Sequence, residues 1–295
     1  MVRSTVETDI KQQVRDFYDQ VGWKEASDGF YQNAHYEDLR PVSREYIHRC
    51  HLRVQEHLRP AGHYLLDAGS GPIQYPEYLE YSRDYQYRIC ADISIVALRE
   101  ARKRMGKRGL FVVADIASLP FKPGVFEGIV SLHTIHHLPA EEHLLAYQEL
   151  YRTLAPACTA VVVNGWDTSP LGSLSKALVR GVEKLYALKQ RFSRAPQPGK
   201  KGKVKGSAGS GLVQQMPKGT YVCKHDPTWL MREVGTLMPL EIWVWRSVSV
   251  QFLRTFIHAR RGGEKLLRGL FWLEERFPHF FGENGVYPLV VLSKR

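Results

Sequence analysis

The sequence predicts a doubly wound α/β fold, a parallel sheet with helices on both faces. Three observations point there. Short runs that are apolar at nearly every position recur along the chain, as strands covered on both faces require. Segments with helical spacing lie between them, so strand and helix alternate. Finally, Asp67, Asp92 and Asp115 sit at or near the ends of three such runs at intervals of 25 and 23 residues, about one strand–helix unit each.

In chain order, residues 6–20 and 41–59 read as helices around a loop rich in aromatics. YLLDAG (64–69) is the first strand, with a helix candidate over 75–83. YRICADI (87–93) is the second strand and IVALREARKRMG (95–106) its helix. LFVVADI (110–116) and FEGIVSLH (126–133) are the third and fourth. Pro139 followed by Ala-Glu-Glu opens a helix over 140–154, with acids where they complement the macrodipole. AVVVNGW (160–166) is the fifth strand. SRAPQPGKKGKVKGSAGSG (193–211) has too little apolar surface to fold and reads as a mobile loop. Beyond it, Asp226-Pro227 starts a helix, LEIWVWRSVSV (240–250) is a strand, and VYPLVVLSK (286–294) is the last. Residues 251–285 intermix phenylalanines with arginines and lysines. They read as a helical insertion, either a subdomain with its own core or a surface suited to an apolar substrate or a peripheral membrane contact. The expected organisation is a helical N-terminal lid (1–60), a ligand-binding core (61–192), a basic flexible loop (193–219), and a C-terminal part (220–295) that completes the sheet around the 251–285 insertion.

A net charge of +11 invites a nucleic-acid reading, but its distribution weakens it. Eight basic residues and no acids lie between Tyr186 and Gly219, leaving about +3 for everything else. Cys50, Cys90, Cys158 and Cys223 form no CxxC pair, so neither a zinc site nor a disulfide framework is expected. The N-terminus is too polar for a signal peptide and no apolar run has transmembrane length, so a soluble cytoplasmic protein is expected. Nothing in the sequence specifies an oligomeric state.

The three acids should reach one carboxyl edge of the sheet, where open α/β sheets bind ligands. Asp67 precedes a glycine turn, LLDAGSGPIQYP (65–76), in which Gly69 and Gly71 let a ligand approach the backbone closely. Asp92 is placed to accept two hydrogen bonds from a ribose diol. Asp115 can accept one from an exocyclic amine. The competing reading makes Asp92 and Asp115 helix N-caps.

These residues resemble the class I S-adenosylmethionine-dependent methyltransferases, most closely the branch of the ubiquinone/menaquinone C-methyltransferases and many small-molecule enzymes. LLDAGSG is similar to that family's first motif, CADIS to its ribose-binding segment, and ADIASLPFKPGVFEGIVS to the run before its fourth strand. SLHTIHHLP and ELYRTLAPACTAVVV resemble the segments that follow, so the likeness covers about residues 60–166. It implies a Rossmann-like seven-stranded sheet whose last strand is antiparallel, with S-adenosyl-L-methionine as cofactor. Asp67, Ala68, Gly69 and Gly71 would cradle its methionine part, Asp92 and Ile93 its ribose, Asp115 and Ile116 its adenine, and Ser131 and His133 would line the pocket. The chain departs from the pattern at Pro72-Ile73, where relatives carry a third glycine, at Glu127, and at Pro156-Ala157-Cys158 in place of Pro-Gly-Gly.

No Asn/Asp-Pro-Pro-Tyr/Phe/Trp motif follows the fourth strand and no Pro-Cys nucleophile is present, so a small or lipidic O, N or C acceptor is favoured over a nucleobase. His133, His136 and His137 are general-base candidates, as is His225 in CKHDPTW. Packing, cofactor contact and a helix cap at Asp226 are the competing roles. No carboxylate is placed among the histidines as a metal site would want, and no metal is expected. Tyr18, Trp23, Tyr31, Tyr36 and Trp166 are candidates to line an acceptor, although the N-terminal aromatics can equally pin the first helix to the sheet. The alternatives are an RNA methyltransferase that uses the basic loop, and a non-catalytic cofactor-binding module. A nicotinamide dehydrogenase is disfavoured because GSGPIQ lacks the third glycine.

Overall fold

A computed structural model describes residues 5–25, 31–193 and 220–295. The basic loop falls almost wholly outside the described residues. Seven strands form one sheet: β1 Gly62–Ala68, β2 Tyr85–Asp92, β3 Gly109–Val113, β4 Phe126–Leu132, β5 Leu154–Val163, β6 Leu240–Arg246 and β7 Tyr287–Lys294. Their order is β3-β2-β1-β4-β5-β7-β6. β1 to β5 pair in parallel, while β7 runs antiparallel between β5 and β6. The chain order therefore reverses beside β1, and the carboxyl ends of β1, β2 and β4 share one edge with the end of β6 and the start of β7.

Alternation within the apolar runs explains the two layers. Leu65, Val161 and Val291 face one core, and Leu66, Val162 and Val290 the other. The first layer packs against α2 (Pro41–Glu56), α3 (Glu77–Glu80) and α4 (Ile95–Met105), through Val54, Tyr78, Leu98 and Ala101. The second packs against α5 (His143–Thr153) and the turn formed by α7 (Pro227–Trp229) with Leu230–Val234. Asp226 caps that turn, its Oδ1 accepting from the Trp229 amide at 2.8 Å. α6 (Pro170–Ser193) follows β5. Among the described residues no helix is long and apolar enough to cross a membrane.

Two elements differ from expectation. β3 stops at Val113, two residues before Asp115, because it is an edge strand and residues 115–118 close a turn instead. β5 begins earlier than expected, at Leu154, and bulges through Ala157, which adopts φ +56°. A left-handed alanine stands where relatives of this pattern place glycine, so the turn is kept and the strain accepted.

α8 (Val250–Phe256), α9 (Gly263–Arg276) and α10 (Pro278–Asn284) occupy the stretch before β7. Leu253, Ile257, Leu267 and Phe271 pack on Val42, Tyr46, Ile47 and Cys50 of α2, a third core. Its polar centre is Glu274, fully buried, which accepts from Tyr46 Oη (2.7 Å), Arg53 Nη1 (2.9 Å) and the Ser247 amide (3.0 Å). One carboxylate thus ties the insertion to α2 and to the end of β6.

Candidate cofactor and acceptor site

A cavity of about 450 Å³ opens at the carboxyl edge. α1 (Thr5–Phe17) and the turn Tyr18–Gly22 lie across it. Part of its wall is the turn after β1. Gly69 and Gly71 have φ +77° and +52°, and a Cβ at Gly69 would collide with Thr134. Ile73 also adopts positive φ (+57°) but is fully buried, which holds it there.

The amides of this turn are spoken for. Gly69 N and Ser70 N both donate to the Ala91 carbonyl (2.7 and 3.2 Å), Gly71 N to Asp92 Oδ2 (2.9 Å), and Ile73 N to the Ser70 carbonyl (3.4 Å). Pro72 has no N–H. A phosphate-binding turn works by pointing free N–H groups at the ligand. From Gly69 to Ile73 none is left, and the helix that follows, α3, has only four residues. The turn instead suits a ligand end with hydrogen-bond donors and positive charge.

Asp92, half-buried at the end of β2, also takes the Ser94 amide on Oδ1 at 2.8 Å. Burial, with smaller contributions from Asp67 and Asp19, lifts its carboxyl to about 6. It is ionised at neutral pH and stands on the cavity wall with Ile93 and Ser94. Ile116 and Ala114 flank it, forming an apolar patch for a flat ring.

Other expected cofactor residues sit differently. Asp67 is buried and bound by Arg88 (Nη2 to Oδ2, 2.6 Å), so it anchors the turn through an internal ion pair, though it also touches the cavity. Asp115 lies off the wall; its Oδ2 is held by Lys11 of α1 at 2.6 Å and its Oδ1 accepts from the Ala117 amide. That places Lys11, rather than the Asp115 carboxylate, on the wall. Ala68 and Ser131 are buried within β1 and β4, away from the lining.

The wall also carries Tyr18, Trp23, Tyr36, His133, His136 and His137, and the Trp23 ring lies over the turn, 3.1 Å from where a Cβ at Gly71 would be. Tyr18 stacks on Trp23 with centroids 4.8 Å apart. His137 Nδ1 lies 2.8 Å from the Tyr221 carbonyl, which can only accept, so that nitrogen carries the proton. Nε2 is then the acceptor for Tyr18 Oη, also at 2.8 Å. The tautomer is fixed and the phenol is oriented. Burial raises the Tyr18 phenol and holds His137 down at about 4, so both are neutral at pH 7. His133, with φ +56°, is pushed down to about 3 by burial and by Arg246, and His136 is lowered for the same first reason. These rings are weak bases that hold a lone pair in place.

Three expected site residues lie elsewhere. Trp166 is buried in the core and donates to the Gly282 carbonyl at 2.8 Å. Tyr31 is buried edge-on to Trp23, off the wall. His225 belongs to a separate small pocket with His143 and Trp229, on which it stacks at 3.6 Å. Cys223, His143 and His225 bring their ligand atoms within 4.8 Å of one another. However, His143 Nε2 donates to the Leu138 carbonyl and its Nδ1 lies 2.8 Å from His225 Nε2. That is a hydrogen bond, shorter than the roughly 3.3 Å that zinc–nitrogen bonds of about 2.05 Å at tetrahedral angles give.

Sequence reasoning missed Lys11, Glu37, Thr134, Lys224, Trp245, Arg246 and Tyr287, all on the wall. Only Arg246 carried a signal: a charge ending an apolar strand.

The geometry agrees with the comparisons. Residues 66–162 match the methyltransferase domain family. That segment, about a third of the chain, carries the methyltransferase domain. A malonyl-[acyl-carrier protein] O-methyltransferase of Legionella pneumophila is 29% identical over 136 residues, covering 45% of this chain and 47% of that protein. The chain thus aligns with about half the length of this relative. Among solved structures, a Haemonchus contortus phosphoethanolamine N-methyltransferase with phosphoethanolamine and S-adenosylhomocysteine is similar at TM-score 0.55 (10% identity, all of this chain, 50% of that one). The [4+2]-cyclase SpnF is similar at TM-score 0.50 (17% identity, 96% of each chain), so this fold by itself does not choose the reaction.

Proposed function

We propose that this chain transfers a methyl group from S-adenosylmethionine to an O, N or C atom of a small or lipidic acceptor seated against Tyr18, His133 and His137. The observation that carries the reading is one cavity whose wall holds two unlike sets of groups. One is a glycine turn with its amides from Gly69 to Ile73 consumed beside an ionised Asp92; the other is a neutral Tyr18–His137 pair under an aromatic cover.

S-adenosylmethionine, when bound, supplies an electrophilic sulfonium methyl. The chain's own residues align, orient and exclude water. Asp92 would accept the ribose hydroxyls, and Ile93, Ala114 and Ile116 would offer an apolar surface to the adenine. Tyr18 Oη, its proton directed at His137 Nε2, offers its lone pairs to an O–H or N–H of the acceptor. A proton released by the acceptor would pass to Tyr18 Oη while the phenolic proton shifts to His137 Nε2. α1 acts as the lid, tied by Lys11 to Asp115 and Glu142, by Asp19 to Ser94, and by Tyr18 to His137.

Methyl-labelled S-adenosylmethionine incubated with the protein and a host metabolite extract tests the reading. Label should enter a small molecule, and Tyr18→Phe should suppress it. Binding of the cofactor without labelling of any fraction, lipid and RNA included, would leave a cofactor-binding module instead.

A further inference from the structure

α6 carries four leucines that the described residues leave largely uncovered. Leu174, Leu178, Leu185 and Leu188 are 56%, 49%, 67% and 48% exposed. With Gly181 between them they follow one another at intervals of four, three, four and three residues, which on a helix is a single stripe. Exposed leucines scattered singly are ordinary on a protein surface; four in one line make an apolar face. The helix cannot turn this face inward, because another face is already used. Gly172, Ser175 and Val179 are buried, and α6 packs against α8 and α10.

The charge on α6 is nearly all of one sign. Its sequence holds five bases and one acid, Glu183, whose Oε1 accepts from Gln251 Nε2 of α8 at 3.0 Å. Lys176, Arg180 and Lys184 are exposed at four-residue intervals, on the face that neither the leucine stripe nor the packed side occupies. The helix thus has three faces: one packed, one apolar and open, one basic and open.

This division selects among occupants for the stripe. Antiparallel pairing of two copies sets like flanks opposite each other, so the basic flank would meet itself. Parallel pairing sets that flank against the side that α8 and α10 already cover. The stripe offers leucine alone, without the aromatic anchors that a shaped protein groove favours. Six charges in 24 residues exclude a helix that crosses a bilayer. A helix lying along an anionic lipid surface satisfies both open faces. Its leucines enter the boundary between headgroups and acyl chains, while the long stems of Lys and Arg carry their charge back to the lipid phosphates.

We propose that α6 is a membrane-docking helix, and that its Leu174–Leu178–Leu185–Leu188 stripe, beside Lys176, Arg180 and Lys184, seats the protein on an anionic lipid surface. The proposal does not depend on the methyltransferase reading.

The test is co-sedimentation of the full chain with vesicles of phosphatidylcholine alone and of phosphatidylcholine mixed equally with phosphatidylglycerol. Wild type is compared with Leu174→Gln/Leu178→Gln/Leu185→Gln and with Lys176→Gln/Arg180→Gln/Lys184→Gln. All six side chains are exposed, so thermal unfolding should match wild type in both variants. Wild type should bind the mixed vesicles, and the leucine variant should bind them about tenfold or more weakly. The basic variant should also lose about tenfold or more, together with most of the preference for anionic lipid. The leucine variant leaves every base of the chain in place. Binding equal to wild type would therefore mean that charge alone attracts the protein, and overturns the proposal. Absence of wild-type binding to the mixed vesicles overturns it as well. So does a concentration-dependent dimer in analytical ultracentrifugation that the leucine variant abolishes, which assigns the stripe to a second copy.

Discussion

Asp92→Asn tests the cofactor end most directly. The substitution keeps the side-chain shape and leaves one oxygen for either the Gly71 or the Ser94 amide, which Asp92 now holds at 2.9 and 2.8 Å. It removes the charge that strengthens bonds from the ribose hydroxyls. A hydrogen bond to a charged group contributes about 1.5–3 kcal/mol. Loss of the charged character of one such bond, with partial compensation by the amide oxygen, should cost about 1.4–2.7 kcal/mol, or about 10- to 100-fold in affinity. Calorimetry with S-adenosylhomocysteine reads this directly, and circular dichroism checks that the fold is retained. The pH profile adds a second signature. With the Asp92 carboxyl at about 6, the ionised form that accepts the diol disappears below that value. Affinity should rise from pH 5 to pH 7 by up to about tenfold in wild type and be flat in the variant. Stability of the ligand-free protein has the opposite sign. A carboxyl raised on folding binds more protons folded than unfolded, so this group's contribution declines as pH climbs from about 4 to about 6. Affinity unchanged within about twofold in Asp92→Asn would refute the ribose assignment.

Tyr18→Phe deletes the hydroxyl that donates to His137 and should leave S-adenosylhomocysteine affinity within about threefold while lowering methyl transfer by about 10- to 100-fold; labelled turnover at wild-type rate would exclude Tyr18 from the chemistry. Lys11→Met removes the ammonium that Asp115 and Glu142 hold and should weaken α1 docking by about 1–3 kcal/mol, read as faster limited proteolysis within the first 40 residues. Gly69→Ala combines a φ of +77° with a collision against Thr134 and should lower stability by about 2 kcal/mol or more in chemical denaturation. Ala157→Gly relieves an exposed left-handed alanine at φ +56° and should instead raise stability, by about 0.5–1 kcal/mol; a loss would mean that β5 needs the methyl group.

What the sequence disclosed follows from where the information resides. Runs such as LLDAG and AVVV are apolar on both faces because helices cover both sides of the sheet, and that pattern is local. The acids at 67 and 92 are likewise read one strand–helix unit apart, and both reach the cavity. Asp115 obeys the same spacing, yet its carboxylate is engaged by Lys11, 104 residues away. The pairings that Tyr18 and Arg246 make on the wall are of this kind. Tyr18 meets His137 across 119 positions, and Arg246 meets Glu37 across 209. No periodicity encodes such a meeting. His225 and Trp166 looked exposed to function because they sit beside motifs, but an aromatic stack and a carbonyl of the insertion absorb them.

The consumed amides of the turn after β1 have a consequence for redesign. The third glycine of a dinucleotide fingerprint, G-x-G-x-x-G, falls at Gln74, and with Gln74→Gly a comparison of motifs would score the loop as one. It would still offer a pyrophosphate no donor from Gly69 to Gly71, because Ala91 and Asp92 hold those amides. Cofactor exchange in this scaffold therefore requires rewiring the end of β2 before the loop, an order of changes in which the first step forfeits the old ligand and gains no new one. Such a valley keeps a lineage with its cofactor even while its substrates diverge.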